Sequence, residues 1–407
     1  MKMPLAAAAL EVIQHLSVTI GGRGSCTPQE RAAAEYTAER MQHLGLRDVR
    51  LEPFQTTPHT YTPFLAAFGA GILGFALTAL VPHPAATLTG AALALAGGLG
   101  MLAELDLRPN WLRALLPTAP SQNAVGILPS AAQPLARRAV ICAHVDTHRT
   151  PIFYSSLAWY RWFSRLVSAA VGSLFLSALL CLLSGLLGAA WLLWPAGVLA
   201  ALQLTAAGLC AQALFTPFSP GASDNASGVG VALSLAEHLS RQPLEHTELW
   251  WAFTGCEEVG ARGFQAFLET HAQSFGTETL YLILDEVGQG RVEYLQRDGL
   301  VKKYPTHPRA LALAQSAAAA LPDIEAAPQV GLAYTDALAA TQRGAMALSL
   351  NTYQPPMHDA DLHWHQMSDQ MDHIDPAALE RCTQFALRVL HTWDQATPLP
   401  PNKGDPP

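Results

Sequence analysis

Apolar residues in this chain fall into short dense runs and long unbroken ones. The short runs, Ala139 to Ala143, Leu249 to Phe253, Leu280 to Leu284 and Ala345 to Leu350, are apolar at consecutive positions. That pattern belongs to strands buried on both faces. Val49 to Phe54 predicts a further strand. Between them the apolar residues recur at helical spacing over Val229 to Ser240, Ala261 to His271, Ala310 to Ala320 and Pro376 to Trp393. Thr27-Pro28-Gln29-Glu30 is a capping box with proline at the first helical position, and the helix it opens ends near Gly45. Strands alternating with helices predict an α/β fold: a mostly parallel central sheet flanked by helices.

The long runs do not fit that sandwich. From Tyr61 to Ala103 the only Asp, Glu, Lys, Arg or His is His83, and Val81-Pro82-His83-Pro84 divides the run in two. Each half has about 20 residues, the length a helix needs to cross a bilayer core. Leu166 to Ser223 contains none of these five residue types and breaks near its middle at Trp191, Trp194 and Pro195-Ala-Gly197. The expectation is two inserted transmembrane hairpins, with tryptophans at the interface. The expected organisation is a discontinuous hydrophilic body (1–60, 105–160 and 217–396), hairpins over 61–104 and 161–216, and a disordered Pro-rich tail over 397–407.

Arg108, Arg113, Arg161 and Arg165 flank the hairpins on the side of the body, and the short far connections carry no Lys or Arg. The positive-inside rule then places the body in the cytoplasm, on an integral protein of a bacterial-type inner membrane. The apolar run before Glu11 is too short for a good signal peptide.

Half of the 407 residues are hydrophobic and only 14% are charged, which agrees with a chain partly in lipid. A formal charge of -8 gives no polyanion-binding surface, so nucleic acid is not expected as a partner. The six cysteines lack paired spacing, so neither a disulfide framework nor a CxxC zinc site is indicated.

The candidate chemistry sits at the ends of the apolar runs: His144-Val-Asp146, Asp224-Asn-Ala-Ser-Gly228, Glu257-Glu258, Asp285-Glu286 and His365. Open α/β sheets bind ligands beyond the carboxyl ends of their strands, and these residues converge there. Imidazole nitrogen and carboxylate oxygen suit zinc, and one carboxylate can bridge two ions. Any one of these acids alone reads as a helix cap or a solvated side chain; five in ordered succession read as a two-metal hydrolytic site.

As a set, HxD at His144 to Asp146, DNxSG at Asp224 to Gly228, the EE pair, the aspartate closing the Leu280 strand and HxxxD at His365 to Asp369 resemble the M28 zinc peptidases. The resemblance runs from about Leu10 to His391 outside the long apolar segments and includes the Ile20-Gly-Gly-Arg23 lead-in. It implies two zinc ions per chain: His144 and Asp285 on one, Glu258 and His365 on the other, and Asp224 as the bridge. It implies that Asp146 orients His144 and that Glu257 is the general base of peptide-bond hydrolysis, with an aminopeptidase acting on peptide substrates as the leading expectation. A glutaminyl cyclase-like or carboxypeptidase reaction on the same fold, and a non-catalytic membrane interaction protein, are the alternatives. Asn225 and Gly228 are expected to shape the Asp224 turn. Glu286 is read either as a substrate-amine contact or as a solvated carboxylate, and Asp336 as a pocket residue or a helix cap. His363 is an alternative to His365, and Tyr334 and Tyr353 are either oxyanion donors or packing residues. The chain departs from the family where the apolar segments interrupt it. Those insertions suggest an active site near the bilayer surface and a membrane-derived substrate. Specificity and oligomeric state are not legible.

Overall fold

The computed structural model describes residues 5–132, 137–276, 278–352 and 363–396; Tyr353, His358 and the 397–407 tail lie outside them. The chain divides into two compact units. One is built from the segment up to Pro58, Ala119–His148 and the chain from Phe218 onward; the other is His59–Thr118 with Arg149–Pro217.

The first unit holds a nine-stranded sheet. Its strands are β1 (Arg47–Thr56), β2 (Ala119–Leu128), β3 (Arg137–His144), β4 (Thr247–Thr254), β5 (Thr279–Leu284), β6 (Glu293–Asp298), β7 (Tyr304–Pro305), β8 (Ala327–Val330) and β9 (Met346–Asn351). They run in the order β1-β2-β4-β3-β5-β9-β6-β7, with β8 on β6. The sheet is mixed, which corrects the expectation of a mostly parallel one. The centre β4-β3-β5-β9 is parallel throughout. β1 with β2, β2 with β4, β9 with β6 and β6 with β7 are antiparallel. The four apolar runs of the sequence are this parallel centre. The antiparallel flanks come from β2, whose interior carries the buried polar residues Ser121 and Asn123, and β6, which opens on the buried Glu293.

Alternate residues of each central strand enter opposite cores. Ala139 and Ile141 pack with helices Leu5–Gln14, Pro28–His43, Gly228–Arg241, Pro308–Ala320 and Pro376–Gln395. Val140 and Cys142 pack with Arg262–Phe275 and Ala337–Thr341. The first helix has no role in the sequence reading beyond its shortness as a leader, yet Ala9, Val12 and Ile13 on it are buried in the larger core.

Thr27 caps Pro28–His43 by accepting Glu30 N–H at 3.3 Å. The reciprocal bond of the box goes one residue further back: Glu30 accepts Cys26 N–H at 2.9 Å. Its carboxylate also accepts Ser121 Oγ–H and Cys256 N–H, each at 2.8 Å. One glutamate thus joins a helix start, β2 and the loop after β4. Burial is the main cause that pushes it up to about 8.

The second unit is four long helices, Thr62–Leu80, Pro84–Leu105, Leu157–Leu187 and Leu193–Ala213. All four are long and apolar enough to cross a membrane. The third begins before Arg161 and Arg165, so those two lie in its first turns. The first two helices meet through small residues: a Cβ on Gly74 or Gly90 would come within 2.3 Å of the other's carbonyl oxygen, the close approach typical of helices packed in lipid. Gln203 donates to Ser173 Oγ at 3.0 Å and Ser177 Oγ at 3.2 Å. Leu80, Leu186, Leu187, Trp191 and Trp194 stand exposed on this unit.

Candidate metal centre

The parallel centre delivers its ligands from one edge. His144 is the last residue of β3, Asp285 follows β5 directly, and Glu257 and Glu258 follow β4 by three and four residues. Asp224 comes from the turn before Gly228–Arg241, and His365 from the segment leading to Met371–His373. All six are buried.

Two triads result, with Asp224 facing both. His144 Nε2 lies 3.3 Å from Asp224 Oδ1 and 3.4 Å from Asp285 Oδ1. His365 Nε2 lies 3.2 Å from Asp224 Oδ2 and 3.2 Å from Glu258 Oε2. Neighbouring donors around a tetrahedral zinc with bonds of about 2.0–2.1 Å are about 3.3 Å apart. The separations, the nitrogen and oxygen donor types and the one carboxylate turned two ways therefore fit a pair of zinc ions. His144–Asp224–Asp285 and His148–Glu258–His365 are the two groupings of potential ligands among the described residues.

The electrostatics point the same way. Burial is the chief cause that lifts Glu257 well above the usual carboxylate range, lifts Asp285, and takes Glu258 to about 7. Burial would also raise Asp224, but its bonds and charge interactions with His144 and His365 outweigh that and hold it low. Burial disfavours a charged His365, yet Glu258 and Asp224 raise it to about 9. Burial thus makes these carboxylates costly to ionise, a cost that a bound cation would offset. Glu257 Oε1 is buried with no hydrogen-bond partner among the described residues.

Supporting bonds fix the ligands. His144 Nδ1 is 3.1 Å from the Asp146 carbonyl oxygen, which leaves Nε2 for the triad. The Asp146 carboxylate stands 3.5 Å from the same nitrogen. It accepts Glu257 N–H at 3.0 Å, Glu258 N–H at 3.2 Å and Ser25 Oγ–H at 2.7 Å, so it also ties the EE loop to β3. Asn225 donates to Leu284 O at 2.9 Å, and its side-chain oxygen accepts Gly228 N–H and Glu286 N–H. A Cβ on Gly228 would sit 2.4 Å from both Asn225 Oδ1 and Leu284 O, so the turn is built around a glycine. The Asp224–Asn225 peptide is cis. Cys256, Glu286 and His365 all adopt positive φ (56°, 51° and 55°), a clustering of strained backbone typical of functional sites.

Other residues fall outside the triads. His363 bonds Ser368 Oγ at 2.9 Å and stacks on His373. Asp336 makes no cap bond to its helix; it accepts Thr254 Oγ1–H at 2.7 Å beneath the ends of β3 and β4. Tyr334 donates its hydroxyl to Glu257 O at 3.3 Å. Glu286 is half-buried beside the cluster. The cysteines form no disulfide, although Cys26 and Cys256 approach to 3.5 Å.

Two residues had no role in the sequence-based site. His148, buried, stacks on His365 with centroids 3.9 Å apart; its only signal is the recurrence of histidine four residues after His144. Arg23, which the lead-in flagged without a role, is wholly buried. It donates to Val145 O (2.8 Å), Leu16 O (2.9 Å), Gly21 O (3.1 Å), Pro220 O (2.7 Å) and Gly221 O (2.9 Å). It clamps the His144 and Asp224 loops together, and burial brings it down to about 10.

Residues 211–390 match the model of peptidase family M28. No curated protein matches the chain. Solved structures with a similar fold include a zinc aminopeptidase from Bacillus subtilis, at 15% identity over 95% of this chain and 94% of that one, with a TM-score of 0.56. The aminopeptidase of Aneurinibacillus sp. strain AM-1 gives 16% identity over 95% and 93%, with a TM-score of 0.56. A glutaminyl cyclase from Porphyromonas gingivalis gives 16% over 95% and 97%, with a TM-score of 0.54. The chain carries the M28 zinc-exopeptidase fold, with two buried triads of metal-ligating side chains.

Proposed function

We propose that this chain, on its M28 zinc-exopeptidase fold, is a membrane-anchored dizinc aminopeptidase that hydrolyses N-terminal peptide bonds. The observation that carries the reading is the pair of triads joined by Asp224, one oxygen toward His144 and the other toward His365.

Two zinc ions, if bound there, would supply a nucleophile from water at neutral pH and polarise the scissile carbonyl. His144 and Asp285 would hold one ion and Glu258 and His365 the other, with Asp224 placed to serve both. Glu257, buried among His144, Asp285 and Glu258, would accept a proton from the attacking water and return it to the leaving amine. Asp146 keeps Glu257 in place by accepting its backbone N–H. The half-buried Glu286 offers a carboxylate to the substrate's free ammonium, which favours an aminopeptidase over an enzyme that reads the C-terminus. Two complete triads favour two ions over one, and so hydrolysis over a single-metal cyclisation.

Anchoring rests on the four long apolar helices and their exposed leucines and tryptophans. The flanking arginines support a cytoplasmic body.

Metal content and hydrolysis of aminoacyl and N-blocked substrates, compared between the detergent-purified protein and Glu257→Gln, test the reading. About two zinc ions per chain, cleavage of free-amine substrates alone, and a variant that keeps metal but loses cleavage are expected. Two ions with cleavage only of blocked substrates would refute the aminopeptidase, and a protein that takes up no metal would refute the enzyme.

A further inference from the structure

His148 lies on the loop that follows β3, four residues after His144, but it groups with the other half of the centre. The ligand atoms of His148, Glu258 and His365 all lie within 4.8 Å of one another, and all three residues are buried. The loop is held firmly: Ser219 N–H donates to His148 O at 2.9 Å, Thr147 N–H to Arg23 O at 3.1 Å, and Arg23 N–H to Thr147 Oγ1 at 2.9 Å.

We propose that His148 is a ligand of the ion held by Glu258 and His365. That half of the site then has four protein ligands, His148, Glu258, His365 and Asp224, while the other half has three: His144, Asp285 and Asp224. The inference rests on the dizinc reading above.

The chemistry of the donors supports it. A zinc site closed by four side chains is characteristic of an ion held for structure, and three ligands with an open position characterise a catalytic one. The three-ligand half is therefore the exchangeable one, where water or substrate enters. The four-ligand half is the retained one. The imidazoles of His148 and His365 lie face to face with only 13° between their planes. Each nitrogen lone pair lies in its own ring plane, so sharing an ion tilts the two rings out of the stack. With its backbone anchored, His148 would reach the ion through its side chain. Packing against His365 without ligation is the rival role, and it leaves the ligand count unchanged.

The test is zinc X-ray absorption on the full-length wild-type protein, with zinc retention against a chelator for wild type, His148→Ala and His148→Gln. Circular dichroism establishes that each variant is folded. The wild type is expected to show three imidazoles shared between two ions. Wild type is expected to keep the ion of the four-ligand half after a chelator has withdrawn the other, and both variants are expected to give up the two ions together. Their affinity at that half should fall roughly 100-fold or more, at or beyond the upper end of what loss of a supporting partner costs. Two ions with only two imidazoles, or folded variants that retain both ions as firmly as wild type, would overturn the assignment while leaving the dizinc reading intact. A wild-type protein without zinc would overturn both.

Discussion

Asp369 accepts the backbone N–H of Asp224 at 3.0 Å through Oδ2 and that of Ser223 at 2.7 Å through Oδ1. The last aspartate of the sequence motifs therefore reaches back 145 positions to hold the residue that faces both triads. It aims Asp224 without joining either triad.

Asp369→Asn keeps one acceptor and turns an NH2 toward the second backbone N–H. The Asp224 turn should loosen, and kcat/KM and zinc affinity should fall roughly 10–100-fold, the usual cost of losing such support. Zinc titration with steady-state kinetics on the purified variant checks this. Wild-type values in both would show that the turn holds Asp224 without Asp369.

Arg23→Met removes five donor contacts, three of them to buried carbonyl oxygens of Leu16, Val145 and Gly221 and two to the part-buried ones of Gly21 and Pro220. Unsatisfied buried acceptors each cost about 1–3 kcal/mol. The loss should exceed about 3 kcal/mol in denaturant titration of the first unit's signal, accompanied by loss of metal.

Gly228→Ala drives a methyl group into Asn225 Oδ1 and the main-chain oxygen of Leu284. The backbone of β5 cannot yield as a flexible side chain would, so Asn225 must give up its bonds to Leu284 and Glu286. A stability loss of about 1–3 kcal/mol is expected, read as a lowered thermal midpoint, with activity reduced more than stability alone explains.

Glu52 accepts from His271 Nε2 at 2.9 Å and from Arg50 at 2.6 Å. Burial pushes its carboxyl up, but those partners outweigh burial and leave it below its ordinary value of 4.5. A carboxylate held low stabilises the fold fully above 4.5 and loses that contribution as pH falls through its lowered value. Glu52→Gln should therefore be less stable than wild type at neutral pH, and the two should converge in acid. A difference that persists unchanged below pH 3 would place its origin outside this carboxylate.

The parallel centre was legible because both faces of β3, β4, β5 and β9 are covered, which makes their sequences continuous apolar runs with the ligands at their ends. β2 was not, because Ser121 and Asn123 lie inside it and bond to Glu30 and to Gly263 O; their polarity is satisfied by partners far along the chain. Glu293, which opens β6, breaks the apolar pattern too, its charge met by Arg291 two residues earlier. The motif residues around both triads were readable as a set. His148 and Arg23 were not, because a buried imidazole on a loop and a guanidinium serving main-chain oxygens leave no periodic trace.

The first unit closes on itself where each apolar segment departs. Thr56 pairs with Ala119 across the β1–β2 ladder, and His148 O accepts Ser219 N–H. The chain thus leaves and returns at neighbouring points both times, so each excursion is a detour in connectivity. Replacing either with a short linker removes a closure entropy of only roughly 2 kcal/mol and disturbs no strand order. In engineering terms the excursions are modules. A water-soluble version of the first unit, with short linkers from Thr56 to Ala119 and from His148 to Ser219, should fold around the same ligands and let the metal centre be studied without the long helices.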